Sequence, residues 1–259
     1  MHRLLVETKL LDEESPVLPK DAARHLKVLR PKDGEKIELF DGKGRCRVYK
    51  VQSSKFKVER LIPESETLSF MPSALSLTLF ACVTKGSRWD WTIEKATELG
   101  VTRIVPVISD RCIVRLDPSE REAKAERWRR VAEDAARQSD AIWLPEVLAP
   151  VDFSTALSLV KTSGHVFVGA LTNPPPQPLL SALAQSSLSP NRTIEQSPQS
   201  NNNPLSFGMF VGPEGDFTPA ELSALLEIAT PVSFGPTVLR AETAAIFGLS
   251  VLAAYVHQS

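Results

Sequence analysis

The order of apolar runs between residues 75 and 256 constrains this chain more than any other feature. Leu75 to Val83 is a continuous apolar run of strand length, a helical pattern follows from Arg88 to Leu99 with Gly100 placed to stop it, and Arg103 to Ile108 is a second short run. Parallel strands need a crossover of this kind, so the segment reads as a βαβ unit. The pattern then recurs. Ser119-Glu120-Arg121-Glu122 has the form of a capping box, opening a helix that sets Ala125, Trp128, Val131, Ala132, Ala135 and Ser139 along one side. His165 to Ala170 and Phe207 to Val211 read as buried strands, and Thr218-Pro219-Ala220-Glu221 as a second capping box with proline at the first helical position. Val232 to Gly235 reads as a last strand before an apolar helix that begins near Glu242. Strands alternating with helices predict an α/β domain whose parallel sheet is covered on both faces.

The first 65 or so residues follow another rule. Lys36 to Phe40, Arg45 to Val51 and Lys55 to Leu61 are short alternating runs, and Asp41-Gly42-Lys43-Gly44 supplies the glycine-rich turn of a hairpin. They predict a small β-barrel, preceded by a short helix from Asp21 to Leu29 that ends at Arg30-Pro31. Glu64 to Pro72 reads as a linker, which divides the chain into domains 1–67 and 68–259. Between Gln185 and Pro204, 15 of 20 residues are Ser, Asn, Pro or Gln, so 185–204 is expected to be a flexible insertion within the second domain.

Charge is unevenly spread. The formal net charge is -1, yet residues 20–60 hold 13 Lys or Arg against 6 Asp or Glu. Lys36, Lys43, Arg45, Arg47, Lys50, Lys55 and Lys57 are expected to share one outer face, a surface suited to phosphates. An ordinary solvated face fits the composition equally well. Cys46, Cys82 and Cys112 form no CxxC pair and the four histidines are scattered, so no disulfide framework and no metal site are expected. The apolar run 244–256 is too short to cross a bilayer and the N-terminus lacks the apolar stretch of a signal peptide, so the expectation is a cytoplasmic protein.

Two constellations carry chemistry. Phe210-Val211-Gly212-Pro213-Glu214-Gly215-Asp216-Phe217 lies between a strand and a capped helix, where open α/β sheets bind ligands and where glycines let backbone approach a nucleoside closely. A tight turn needing Gly and Pro for geometry alone gives the same string. The fingerprints GxGxxG and GxxxxGK[ST] are missing, which counts against a Rossmann dehydrogenase and a P-loop NTPase. Phe234-Gly235-Pro236-Thr237-Val238-Leu239-Arg240-Ala241-Glu242 is again strand, turn and helix start, with Arg240 and Glu242 as a cation and an acid beside the ligand position. Their bland reading is a charge at a helix N-terminus with its partner.

The segments HLKVLRPKDGEKIELFDGKG (25–44), KGSRWDWTIEKATELGVTRIVPVISDRC (85–112), FVGPEGDFTPAEL (210–222) and FGPTVLRAETAAIFGLSVL (234–252) resemble the ribosomal RNA small-subunit methyltransferase E family nearly end to end. The resemblance implies a PUA-like N-terminal β-barrel that binds RNA and a C-terminal SPOUT-type α/β domain with a trefoil knot, an exception to the unknotted-chain rule. It further implies a homodimer that uses S-adenosyl-L-methionine (AdoMet) to methylate N3 of a uridine in 16S rRNA of the small ribosomal subunit. By position, the cofactor would lie against Ala170, Leu171 and Thr172, against Val211, Gly212, Pro213, Glu214 and Gly215, and against Phe234, Gly235, Val238 and Leu239. Arg240 and Glu242 are the candidate catalytic residues, and Arg24, His25, Lys27, Arg30, Lys43, Arg45, Arg111 and Arg115 the candidate RNA contacts. The chain departs from the family pattern at Arg137, Asp140, Ala141, Asp216 and Thr237. Two alternatives therefore stay open: an RNA-binding protein that has lost transfer, and a ribose 2′-O methyltransferase of the same superfamily.

Overall fold

The computed structural model describes residues 1–54, 57–71, 75–185 and 205–257. The chain divides into two compact units, Met1–Pro72 with Glu133–Leu144, and Ser73–Ala132 with Pro145–Ser259. The expected insertion falls on residues 186–204, outside those described.

In the first unit, β1 (His2–Leu5) is followed by a 3₁₀ turn at Thr8–Asp12, then by α1 (Lys20–Leu29), β2 (Lys36–Phe40), β3 (Arg45–Ser54), β4 (Lys57–Pro63) and β5 (Leu68–Ser69). The strands form a mixed sheet in the order β1-β2-β3-β4, with β5 pairing the start of β3; β1 and β2 run parallel and the other pairs antiparallel. Leu4, Leu11, Leu26, Ile37, Tyr49 and Leu61 are buried in one cluster on one side. The Tyr49 hydroxyl lies 3.2 Å from the carbonyls of Leu10 and Glu13, which ties the 3₁₀ turn to the sheet.

The expected single basic face does not exist. Lys36 lies opposite Lys50 across β2 and β3 and shares a side with it, whereas Arg45 and Arg47 alternate to the other side. Lys36 pairs with Glu64 at 2.9 Å, Arg45 with Asp12 at 2.6 Å and Arg47 with Glu14 at 3.0 Å. Lys55 lies outside the described residues. The expected linker is also partly structured, because the Phe70 N–H donates to the Gly44 carbonyl at 2.7 Å beside the β3–β5 pairing. Main-chain bonds of this kind leave no mark on side-chain composition.

Residues 133–144 belong to this unit, and nothing in their composition announces it. The Gly42–Gly44 turn receives them as it would another strand: Leu144 N–H donates to Gly42 O at 2.9 Å and Gly44 N–H to Ile142 O at 3.3 Å. Ala136, Ile142 and Leu144 then cover Phe40 and Cys46. Buried Arg3 fastens the return, with its Nε 2.6 Å from Glu38 Oε1, its Nη1 donating to the carbonyls of Ala136 and Ala141, and its guanidinium over the Phe40 ring. A cation suits the Ala136 carbonyl, which lies in the last turn of α3, since the last C=O groups of a helix lack internal partners.

The second unit contains β6 (Leu75–Cys82), α2 (Ser87–Glu98), β7 (Arg103–Ile108), most of α3 (Pro118–Gln138), β8 (Glu146–Val147), β9 (Val151–Asp152), α4 (Phe153–Val160), β10 (His165–Gly169), α5 (Leu179–Gln185), β11 (Leu205–Val211), α6 (Pro219–Leu226), β12 (Thr230–Val232) and α7 (Ala241–His257). Its sheet is parallel throughout, in the order β12-β10-β11-β6-β7-β8, with β9 also pairing β7. Alternation along each strand feeds two layers. Leu77, Leu79, Phe207 and Met209 pack with Trp89 of α2, Trp128 of α3 and Leu249 of α7, while Phe80, Val166, Val168 and Phe210 pack with Val160 of α4 and Leu225 of α6.

Helix starts follow local chemistry, with one shift. α3 opens at Pro118, and the Asp117 N–H donates to Glu120 Oε2 at 3.2 Å. This is one half of a box, two residues upstream of the expected one, with Pro118 at the first helical position. Ala125, Trp128, Ala132 and Ala135 are buried as expected, but Ser139 is exposed. α6 has the predicted box: Thr218 Oγ1 accepts from the Glu221 N–H, and Glu221 Oε2 accepts from the Thr218 N–H at 2.9 Å. The other Glu221 oxygen accepts from the Asp110 N–H at 2.9 Å. Glu221→Ala should therefore cost about 1–3 kcal/mol in urea unfolding, the loss of a cap plus an abandoned donor.

Candidate functional site

The sheet reverses its winding between β6 and β11, with β7 on one side and β10 and β12 on the other. Ligands of open α/β sheets bind beyond strand carboxyl ends near such a point. A cavity of about 300 Å³ opens beside it, beyond the carboxyl ends of β11, β10 and β12, and three loops line it. From the end of β10 come Gly169, Ala170 and Leu171; from the end of β11, Val211, Gly212, Pro213, Glu214 and Asp216; after β12, Ser233, Phe234, Gly235 and residues 237–240, with Ala241 at the start of α7. Because β12 ends at Val232 and not at Gly235, Ser233–Gly235 are released from the sheet to form the wall.

Most of the residues expected at a cofactor site meet in this cavity. Thr172 and Gly215 do not line it: the Thr172 hydroxyl donates to Pro174 O at 2.8 Å, and the Gly215 carbonyl accepts from Arg111 Nη1 at 3.1 Å. Ser233 and Asp216 line the cavity although no cofactor role was expected of them, and so does Thr237, which lies between the expected Gly235 and Val238. Gly235 has φ +128°, and a Cβ built there meets nothing within 4 Å, so a side chain would be strained and would stand in the open space of the loop. Val238 and Leu239 make no backbone hydrogen bond among the described residues, which leaves their N–H groups available to a ligand edge.

Arg240 lines the cavity, is exposed, and has no ion pair among the described residues. Glu242, two residues on at the start of α7, does not line the cavity; its side chain is 12% exposed. Its Oε1 lies 3.8 Å from Arg88 Nε, and its Oε2 is buried without a hydrogen-bond partner. Arg88, from the first turn of α2, also reaches Glu214 at 3.6 Å and so links the loop after β11 to the start of α7. Sequence reasoning missed Arg88, which lies over 120 residues from both partners. Glu94 and Glu98 pair with Lys95 on the surface of α2.

Arg111 also donates to Phe217 O at 3.2 Å, and Arg115 to the carbonyls of Ser109 and Asp110, so both guanidiniums brace backbone near the second loop. Behind them burial pushes the Cys82 thiol well up, while the hydrogen bond with Cys82 holds Cys112 low. In the first unit, Arg24, His25, Lys27, Arg30 and Lys43 are exposed and have no ion pair among the described residues, whereas Arg45 is engaged by Asp12. Lys27 and Arg30 edge a groove of about 530 Å³ with an apolar wall that includes Val17, Leu26 and Leu61.

Known proteins share this arrangement. Residues 71–253 match the RNA methyltransferase domain model, and residues 18–59 the RNA methyltransferase PUA domain model. The ribosomal RNA small subunit methyltransferase E of Synechocystis sp. is 30% identical over 251 residues, covering 96% of this chain and 76% of that protein. This chain belongs to the ribosomal RNA small subunit methyltransferase E family. The Bacillus subtilis family member is 29% identical over 260 residues, covering 97% of this chain and 96% of its own. A crystal structure of the Neisseria gonorrhoeae member bound to S-adenosyl methionine superposes with a TM-score of 0.78 at 26% identity, covering 98% of this chain and 97% of that one. The two units are accordingly a PUA-like module and a SPOUT-type methyltransferase domain. No described helix is long and apolar enough to cross a membrane.

Proposed function

We propose that this family member transfers a methyl group from AdoMet to N3 of a uridine in 16S rRNA, acting on the small ribosomal subunit as a homodimer with a knotted SPOUT domain. The observation that carries the reading is the cavity ringed by the three loops after β10, β11 and β12, with uncommitted Arg240 in its wall. Its residues fit the donor: about 300 Å³ is the lower end of small-ligand sites. The backbone of Val238 and Leu239 can read an adenine edge, and the bare Gly235 lets the nucleoside approach.

When bound, AdoMet supplies an electrophilic methyl group on a sulfonium. The chain's own part is positioning and electrostatics. Arg240 stabilises the negative charge that a uracil oxygen gains as N3 loses its proton. Glu242 receives that proton, directly or through water, with Arg88 holding its carboxylate. Arg24, His25, Lys27, Arg30 and Lys43 hold phosphates without reading bases, and Arg45 joins them only by leaving Asp12. Arg111 and Arg115, exposed in the second unit, add cations beside the cavity's own loop.

The test is transfer of labelled methyl from AdoMet to small subunits from a strain lacking the protein, followed by nucleoside analysis. The expected product is 3-methyluridine. A ribose-methylated nucleoside would move the protein to the 2′-O class, and donor binding without transfer would leave an RNA-binding protein.

A further inference from the structure

We infer that Asp216 makes this cavity prefer a positively charged methyl donor over its neutral by-product, so that fresh donor outcompetes the spent cofactor. The inference rests on the reading that the cavity holds AdoMet. Three charged side chains line the cavity: Glu214, Asp216 and Arg240. Glu214 has a counter-ion, Arg88, at 3.6 Å. Asp216 has none among the described residues, and neither does Arg240. The cavity thus offers one uncommitted anion and one uncommitted cation.

The Asp216 carboxylate is held by its own turn. Its Oδ1 accepts from the Phe217 N–H at 2.8 Å, and its backbone is left-handed at φ +56°, a conformation that Asp and Asn tolerate better than most residues. The second oxygen makes no hydrogen bond among the described residues. AdoMet and S-adenosylhomocysteine carry the same amino and carboxylate groups and differ in charge only at sulfur, a sulfonium in one and a thioether in the other. A carboxylate facing that sulfur stabilises the first and leaves the second unaffected. A charge several ångströms away, in a site partly open to solvent, shifts such a ratio by about fivefold.

Asp216→Asn removes the charge while keeping an oxygen for the Phe217 N–H. Wild-type and variant full-length chains are titrated calorimetrically with AdoMet, S-adenosylhomocysteine and sinefungin, an analogue with a charged amine in place of the sulfonium. AdoMet and sinefungin should weaken by about fivefold and S-adenosylhomocysteine should be unchanged. Asp216→Gly, which relieves the left-handed backbone, should give the same selective loss. An equal loss for all three ligands would assign the carboxylate to their shared amino group and overturn the inference, as would no change in any. A wild-type chain that binds none of the three would bring down the cofactor reading as well.

Discussion

Arg240→Ala should leave AdoMet bound with about its wild-type affinity and slow methyl transfer by about 10²–10³-fold, the loss seen when one donor to a developing negative charge is removed. The side chain is exposed and unpaired, so its removal abandons no buried group and stability should stay within about 0.5 kcal/mol. Arg240→Lys should recover part of the rate, since it returns the charge without the planar fork. Single-turnover transfer to small subunits, beside donor titration and thermal unfolding, separates the possibilities. A rate near wild type in the folded, donor-bound alanine variant would end the assignment. A parallel loss of affinity would move Arg240 from the acceptor to the cofactor.

The largest expected effect on stability is at Gly44. Its φ is +94°, and a Cβ there would come within 2.3 Å of Trp143 Cζ2 and 2.7 Å of the Phe70 carbonyl oxygen. The indole can move, but the carbonyl cannot, because Phe70 lies next to the β5 pairing. Gly44→Ala should cost about 2–4 kcal/mol, combining left-handed strain with overpacking. Trp143→Ala in the same chain should return part of that cost, so the double variant should be more stable than the two single losses added together. Urea midpoints that are unchanged in Gly44→Ala would mean that residues 142–144 do not dock on the turn.

Both predictions concern residues whose types were visible in the chain but whose neighbours were not. β2 and β7 have the bounds that period-two patterning and apolar runs indicate, and the α6 box reads directly as Thr-Pro-Ala-Glu. These are local matters, settled within a few residues by torsional preference and by the side of a strand or helix that must avoid water. The two glycine-bearing motifs likewise mark the loops after β11 and β12, because only backbone without side chains admits a ligand so closely. The basic face failed for a reason equally local: the expectation summed charge over 20–60 without separating the odd and even positions of β3.

The sequence by itself determined the parallel α/β class of the second unit, the positions of its turns, and the loops around which a nucleoside can close. Only the tertiary structure decided that residues 133–144 return to the first unit, that Arg88 stands between Glu214 and Glu242, and that Asp216 enters the cavity uncompensated. Each of these depends on groups tens of residues or more apart meeting through main-chain bonds or ion pairs. Those interactions are available to almost any residue, so they leave no periodic trace in the chain that makes them.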